Sequence, residues 1–202
     1  VPKSFVGLPE VKLGLLPGAG GTQRLPRVAG VKTALDMITS GDMVPAPKAR
    51  EAGIVDEIVD DLIPGAVAFA EKLVAEGAPL KVISADRGKL DEADPAIFDE
   101  YRAQLAKKAR DVLAPQNCVA AVEAAVKASS FEDGLKRERE LFGELMESPQ
   151  RAAQIHIFFG EREVAKIPDL PRGTEAKKIG KVAIIGCGTM GGGIAMNFAN
   201  AG

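Results

Sequence analysis

The stretch GLPEVKLGLLPGAGGTQRLPR (residues 7–27) decides how the rest of this 202-residue chain is read. It sets one carboxylate, Glu10, among Leu8, Pro9, Val11 and Leu13, and after a short apolar run it turns through Pro17-Gly18-Ala19-Gly20-Gly21. A carboxylate partly desolvated in such a setting has its pKa pushed up, the usual tuning of a general acid/base. The glycine-rich loop offers bare backbone N–H groups at the mouth of a helix. On spacing alone, a surface glutamate beside a tight turn accounts for the same residues and is the plainer of the two readings.

Downstream the pattern turns helical. Thr33 to Ile38 reads as a helix stopped by Ser40-Gly41, and Ala46 to Ala52 as a short helix behind Pro45. Ile54 to Val59 reads as a strand, β-branched with a charged pair in its middle, and Pro64 opens a helix running to Gly77. From about 84 to 168 the chain reads as nearly all helix. Asp94-Pro95 and Ser148-Pro149 put a capping oxygen before a proline at a helix start, and Ser130 with Asp133 resembles a capping box. Positions 118, 119, 122, 125 and 126 form one apolar stripe, and Phe131, Leu135, Phe142 and Leu145 share another face. Residues 168–180 have the composition of a linker.

A second glycine-rich motif follows. Val182-Ala183-Ile184-Ile185 reads as a buried strand, then Gly186-Cys187-Gly188-Thr189-Met190-Gly191 gives G-x-G-x-x-G, then Ile194, Ala195, Phe198 and Ala199 continue at helical spacing. Strand, glycines and helix in that order are the context the dinucleotide fingerprint requires. Gly186 makes the tight turn, Gly188 lets backbone approach the pyrophosphate, and Gly191 lets the helix pack on the strand. The acidic residue that reads the ribose is expected beyond Gly202, so NAD and NADP are not separated.

Composition narrows the classes. A 46% hydrophobic fraction supports a core, and a net charge of −2 gives no basic surplus for nucleic acid. No apolar run reaches the roughly 18–20 residues of a membrane span. Cys118 and Cys187 are too far apart in sequence to suggest a disulfide framework or a cysteine zinc site, and the single histidine, His156, excludes a multi-histidine site, so no metal is expected. His156, mid-helix beside Phe158 and Phe159, reads as packing or surface. Cys118 reads as a small core residue and Cys187 as a variable fingerprint position. Lys136-Arg137-Glu138-Arg139-Glu140 reads as a solvated helix face, with contact to ligand phosphates as the lesser alternative. Neither end reads as a natural boundary, and the chain is expected to be a piece of a longer polypeptide.

The block PEVKLGLLPGAGGTQRLPR (9–27) resembles the second half of the crotonase (enoyl-CoA hydratase/isomerase) fold. The similarity continues through TALDMITSGDMVPAPKAREAGIVDEIV (33–59) and resumes at FEDGLKRERELFGELMESPQRAAQIHIFFGERE (131–163). APQNCVAAVEAA (114–125) is similar to multifunctional β-oxidation enzymes, in which a crotonase domain is followed by a linker helix and an L-3-hydroxyacyl-CoA dehydrogenase.

The resemblance implies a helix-rich α/β chain. Residues 1–83 would be the C-terminal part of the crotonase ββα-spiral, 84–168 a helical region with the linker helix, 169–180 a linker, and 181–202 the first β-α unit of a Rossmann domain. It implies hydration of trans-2-enoyl-CoA to L-3-hydroxyacyl-CoA, oxidation to 3-ketoacyl-CoA with NAD, and an associated Δ3-Δ2 isomerisation. Glu10 would be the second of two catalytic glutamates and Gly18 the glycine whose N–H steadies the water, with Gly186, Gly188 and Gly191 at the cofactor. The first glutamate, the oxyanion-hole donors and the dehydrogenase His-Glu pair have no counterpart in these residues, so the 202 residues alone are expected to be inactive. The rival reading is a non-catalytic helical module docking two enzyme domains. An acyl-CoA substrate, a thiolase subunit or self-association, and a bacterial-type cytoplasmic location, with peroxisome or mitochondrion as alternatives, complete the expectation.

Overall fold

Outside its glycine-rich stretches the sequence is dense in Ala, Leu, Glu and Lys, all strong helix formers, and helix is the dominant element of the chain. The computed structural model describes residues 1–164, 166–171 and 173–201. Ala165, Arg172 and Gly202, on which parts of the expected helical region, linker and dinucleotide unit fall, lie outside the described residues. Two compact units are present, Val1–Glu163 and Val164–Gly202. The first runs β1 (Phe5–Val6), a 3-10 turn (Pro9–Leu13), α1 (Gly21–Ala29), α2 (Val31–Ser40), β2 (Val44–Pro45), α3 (Ala46–Glu51), α4 (Leu62–Ala75), a 3-10 turn (Ile83–Ala85), α5 (Gly88–Asp91), α6 (Ala96–Lys108), α7 (Leu113–Lys127), α8 (Phe131–Met146) and α9 (Pro149–Val164). β1 and β2 pair antiparallel, Phe5 opposite Pro45 and Val6 opposite Val44. The second unit holds α10 (Thr189–Ala201).

Two expected strands are corrected. Residues 54–59 form turn and irregular chain, with the Ile54 N–H bonded back to the Ala49 carbonyl at 2.8 Å as an extension of α3. Residues 182–185 likewise join no ladder among the described residues. β-Branched composition suits a strand, but a strand exists only where a neighbour takes up its backbone N–H and C=O groups.

The capping signals hold. The Ser130 Oγ accepts the Asp133 N–H at 3.0 Å and donates to the Asp133 carboxylate at 2.7 Å. Ser148 Oγ accepts the Arg151 N–H at 3.1 Å, and Asp94 Oδ1 accepts the Ala96 N–H at 2.9 Å. Pro64 and Pro115 sit one turn inside α4 and α7, where the missing N–H has no intrahelical partner to lose.

The core is built around α7, which packs on α1, α2, α6 and α8. Its buried face combines a small-residue line, Ala114, Cys118, Ala121 and Ala125, with Val119 and Val122. The four small residues are spaced by 4, 3 and 4, so they stack along one side and let neighbouring helices approach closely. Leu35 and Ile38 of α2, Phe98 of α6 and Leu141 and Leu145 of α8 complete the cluster. α4 is the contrast: it buries no residue, and Leu62, Ile63, Val67 and Val74 are all exposed.

α6 is fastened to α7 by Glu123, which pairs with Arg102 and, at 2.6 Å, with Lys127. Burial works against the Glu123 charge, but the hydrogen bonds from Lys127 and Arg102 outweigh it and hold the carboxyl below its ordinary range. A depressed acid contributes stability that is fully present above the unfolded pKa of about 4.3 and is lost as pH falls through the folded value. Glu123→Gln should therefore destabilise the chain at pH 7 and much less at pH 3. Urea unfolding at the two pH values measures this, and an equal loss at both would show that the charge is not the source.

Candidate active site

The 3-10 turn Pro9–Leu13 carries Glu10 and ends at Gly14. It is braced by its own carbonyls: the Glu10 C=O accepts the Leu15 N–H and the Val11 C=O accepts the Gly14 N–H, both at 3.1 Å. The turn packs on α2 and α7, which sets the Glu10 side chain against the interior. Its Oε2 is buried and has no hydrogen-bond donor. Cys118 of α7 is a neighbour: burial, and secondarily the Glu10 charge, push its thiol well above the ordinary range. Cys118 is thus an inert core thiol, whereas Cys187 is exposed. Beside the turn lies a cavity of about 260 Å³ lined almost wholly by apolar groups, among them Val6, Leu8, Leu25, Met37 and Ile54.

The glycine-rich loop then leads into α1. Gly18 lies against Phe142 of α8, and a Cβ at Gly18 would stand 2.5 Å from the ring. Gly20 takes a left-handed φ of 85°, which an L side chain rarely adopts, and serves as N-cap of α1. The expected row of bare N–H groups is only partly present. The Gly20 N–H donates to Glu138 Oε1 at 2.7 Å, and the Thr22 N–H donates to Glu138 Oε2 at 3.1 Å. The Thr22 hydroxyl donates to the same Oε2. Among the described residues the Gly18 N–H has no backbone or side-chain acceptor.

Glu138 therefore corrects the reading of residues 136–140 as a solvated face. Lys136, Arg137, Arg139 and Glu140 are exposed, with Arg137 and Glu140 paired at 3.0 Å, but Glu138 is only 1% exposed. Its neighbours on the buried line of α8 are Gly134, Leu141 and Leu145. An acid at a core-facing position of an apolar helix stripe was the signal available in the sequence. Thr22 and Gln23 were also missed as interior polar groups. Both are fully buried, and Gln23 Nε2 donates to Thr22 Oγ1 at 2.9 Å and to the Ala121 carbonyl at 2.8 Å. His156 is exposed on α9.

In the second unit Gly186 has a φ of 101° and opens the turn before α10. At Gly191 a Cβ would run into the Gly186 carbonyl, while at Gly188 it would meet nothing. Among the described residues no group of three or more His, Cys, Asp or Glu could hold a metal ion, and no helix is long and apolar enough to cross a membrane.

Gly18 is not among the glycines with positive φ, so the Phe142 ring alone opposes a side chain there. Gly18→Ala should cost about 1–3 kcal/mol by overpacking, and most of that cost should disappear in a Phe142→Ala background. Chemical denaturation of the four proteins of this cycle measures the coupling, and simple additivity would show that the ring is not the obstacle.

Residues 2–93 match the enoyl-CoA hydratase/isomerase family. Over 98% of its length the chain is 40% identical to the peroxisomal bifunctional enzyme of Cavia porcellus, and over 97% it is 41% identical to that of Homo sapiens. It is 37% identical, over 96% of its length, to a peroxisomal fatty acid beta-oxidation multifunctional protein of Arabidopsis thaliana. The chain spans 27–28% of the length of these curated relatives. Their names place them in peroxisomes, not in the bacterial-type cytoplasm expected from the sequence. A solved structure of a carnitinyl-CoA dehydratase from Mycobacterium thermoresistibile is 20% identical, with a TM-score of 0.49 over 84% of this chain and 57% of that one. Residues 2–93 thus resemble an enoyl-CoA hydratase/isomerase segment, in a chain that is similar along nearly all its length to bifunctional and multifunctional peroxisomal enzymes.

Proposed function

We propose that this chain serves as part of a multifunctional fatty-acid β-oxidation enzyme that hydrates trans-2-enoyl-CoA and oxidises the product with NAD. Residues 1–83 are assigned to the hydratase/isomerase core, 84–168 to a helical region and linker helix, 169–180 to a linker and 181–202 to the start of the dehydrogenase. The observation that carries the reading is Glu10 Oε2. A buried acceptor without a donor is uncommon in folded proteins; among the described residues there are three, Gln23 Oε1, Gln154 Oε1 and Glu10 Oε2, and of these Glu10 alone is a carboxylate. Glu10 lies on the turn that follows Leu8, and Leu8 is one of the residues lining an apolar cavity suited to part of an acyl chain.

In this reading water adds across the 2,3 double bond. As the water oxygen bonds to C3, its proton passes to a carboxylate, and the π electrons move toward the thioester carbonyl. A proton then returns to C2, giving the L-3-hydroxyacyl-CoA. Glu10 is assigned one of the two carboxylate roles in this transfer, and the Gly18 N–H orients the water. The other carboxylate and the oxyanion donors come from outside these residues. Shuttling a proton between C4 and C2 with the same carboxylates gives the Δ3-Δ2 isomerisation.

The second unit fits a dinucleotide. The turn at Gly186, the absence of room at Gly191 and the open position at Gly188 are what a close-packed phosphate turn at a helix N-terminus requires. Gly186, Gly188 and Gly191 would hold the pyrophosphate, and NAD, when bound, supplies a hydride acceptor for the 3-hydroxyl carbon. A thiolase subunit that cleaves the 3-ketoacyl-CoA product is the partner class this sequence of reactions needs.

Glu10→Gln in the full multifunctional protein should lower hydration of crotonyl-CoA by about 10²–10⁴-fold and leave NAD-dependent oxidation of a 3-hydroxyacyl-CoA intact. Equal loss of both activities would make Glu10 a structural residue. Gly188→Val should do the reverse, weakening NAD binding in calorimetric titration while sparing hydration. Unchanged affinity would remove these glycines from the cofactor site. The 202 residues by themselves should turn over crotonyl-CoA no faster than their Glu10→Ala variant, because loss of even one oxyanion donor costs about 10²–10³-fold.

A further inference from the structure

We propose that Glu138 is a positioning residue: its carboxylate holds the Pro17–Gly20 loop so that the Gly18 N–H is presented in one fixed direction. The inference rests on the hydration role assigned above. It follows from where Glu138 sits and what it binds.

The side chain is 1% exposed and comes from α8, far along the chain from the loop it touches. It accepts from three neutral donors, the Gly20 N–H, the Thr22 N–H and the Thr22 hydroxyl. Among the described residues no cation pairs with it. A buried carboxylate without a counter-ion is sustained here by charge-assisted hydrogen bonds and by the positive end of the α1 dipole. The 2.7 Å bond from Gly20 is the shorter of its two backbone bonds, and Gly20 is the left-handed residue on which the loop turns into the helix.

Gly18 lies two residues before that point. It is bordered by Phe142, one helical turn after Glu138 on the same side of α8. Between them, the Ala19 carbonyl accepts from Arg24 Nη1 at 2.9 Å. The loop is therefore held at Gly18, Ala19 and Gly20 in succession, and the Gly20 and Thr22 N–H groups are consumed by the protein itself. Among the described residues the Gly18, Ala19 and Gly21 N–H groups remain unshared, and of these Gly18 is the one bordered by Phe142. Loosening the Gly20 bond frees the peptide planes on either side of Ala19, and with them the direction of the Gly18 N–H. A displacement of about 1 Å at a positioning group can cost about 10²-fold in rate.

Glu138→Gln keeps the shape and replaces one acceptor oxygen by an NH₂ group, so either Gly20 or Thr22 loses its acceptor. In the full multifunctional protein, kept at a temperature where circular dichroism shows it folded, the variant should hydrate crotonyl-CoA with kcat lowered about 10–100-fold and KM changed less than about 3-fold. Oxidation of a 3-hydroxyacyl-CoA should be untouched. In the 202-residue chain, amide exchange followed by NMR should accelerate at Gly18, Ala19 and Gly20, while Val119, Val122 and Leu141 keep their protection. A purely structural role would instead raise exchange throughout the core. Unchanged kcat, or unchanged exchange in the loop, overturns the inference while leaving the hydratase reading in place. If the unsubstituted full-length protein fails to hydrate crotonyl-CoA, the hydratase reading falls and takes the catalytic half of this inference with it. The exchange measurement then decides the loop tie alone.

Discussion

The N-terminus of α1 points into protein, and the N–H groups there have to find acceptors without help from bulk water. Glu138 supplies them. It links α8 to the first turn of α1, and Gln23 extends the link to the Ala121 carbonyl of α7. α1 is thereby joined to the sequence-distant pair α7 and α8 through one polar network before any apolar contact is counted. The hydrophobic cluster then closes around fixed partners: the small-residue line of α7 lets its neighbours in, and Leu35, Ile38 and Leu141 fill the remaining volume. Replacing such a carboxylate by an apolar residue would leave the α1 donors buried and unpaired, which is costly whatever the packing gain.

Much of this was legible because it is local. Caps at Asp94, Ser130 and Ser148 are decided by residues within one turn, and the α7 stripe is decided by spacing along a single helix. The strand expected at 54–59 failed because its deciding quantity, a ladder partner, is not in those six residues at all. Glu138 was missed for a related reason. Flanked by Lys136, Arg137, Arg139 and Glu140 it has the composition of a solvated face, and only its position on the line Gly134–Glu138–Leu141–Leu145 separates it from its charged neighbours. Periodicity was the better guide than local charge. Glu10 was visible as an isolated acid in an apolar stretch, but its unpartnered oxygen depends on the surrounding elements and so had to be seen in three dimensions.

α4 and α7 show how far composition can mislead. Both are rich in Ala and Val, yet α7 buries seven residues and α4 none. α7 is covered because its neighbours bring complementary surfaces: Gln23 meets its Ala121 carbonyl, Arg102 meets its Glu123. Leu62, Ile63, Val67 and Val74 meet no such surface within Val1–Glu163. Contiguous apolar exposure of this kind is characteristic of interaction surfaces rather than of free-standing helices, in keeping with a chain whose relatives are more than three times its length.

The pairing of α8 with α1 has one further consequence. Read along the two helices in opposite directions, Phe131 lies under Arg27, Gly134 leaves room for Gln23, Glu138 binds Gly20 and Thr22, and Phe142 meets Gly18. The contacts step back along α1 and its loop as they step forward along α8, which is an antiparallel register. That register is strongly specified. Sliding α8 by one turn would take Glu138 away from the Gly20 and Thr22 donors and put a bulky side chain where Gln23 needs Gly134. Arg27 adds a second pin: it is 3% exposed, burial followed by the nearby Arg87 lowers its pKa, and it is held by the Gln23 carbonyl at 2.6 Å and by the Phe131 ring. α1 thus has an anion at its positive end and a cation at its negative end, the sense its dipole favours. Both are oriented by α8, and a buried charge at each end makes a one-turn slip far more costly than it would be for an apolar seam. The direction of the Gly18 N–H is a property of this helix pair, not of the glycine-rich loop alone.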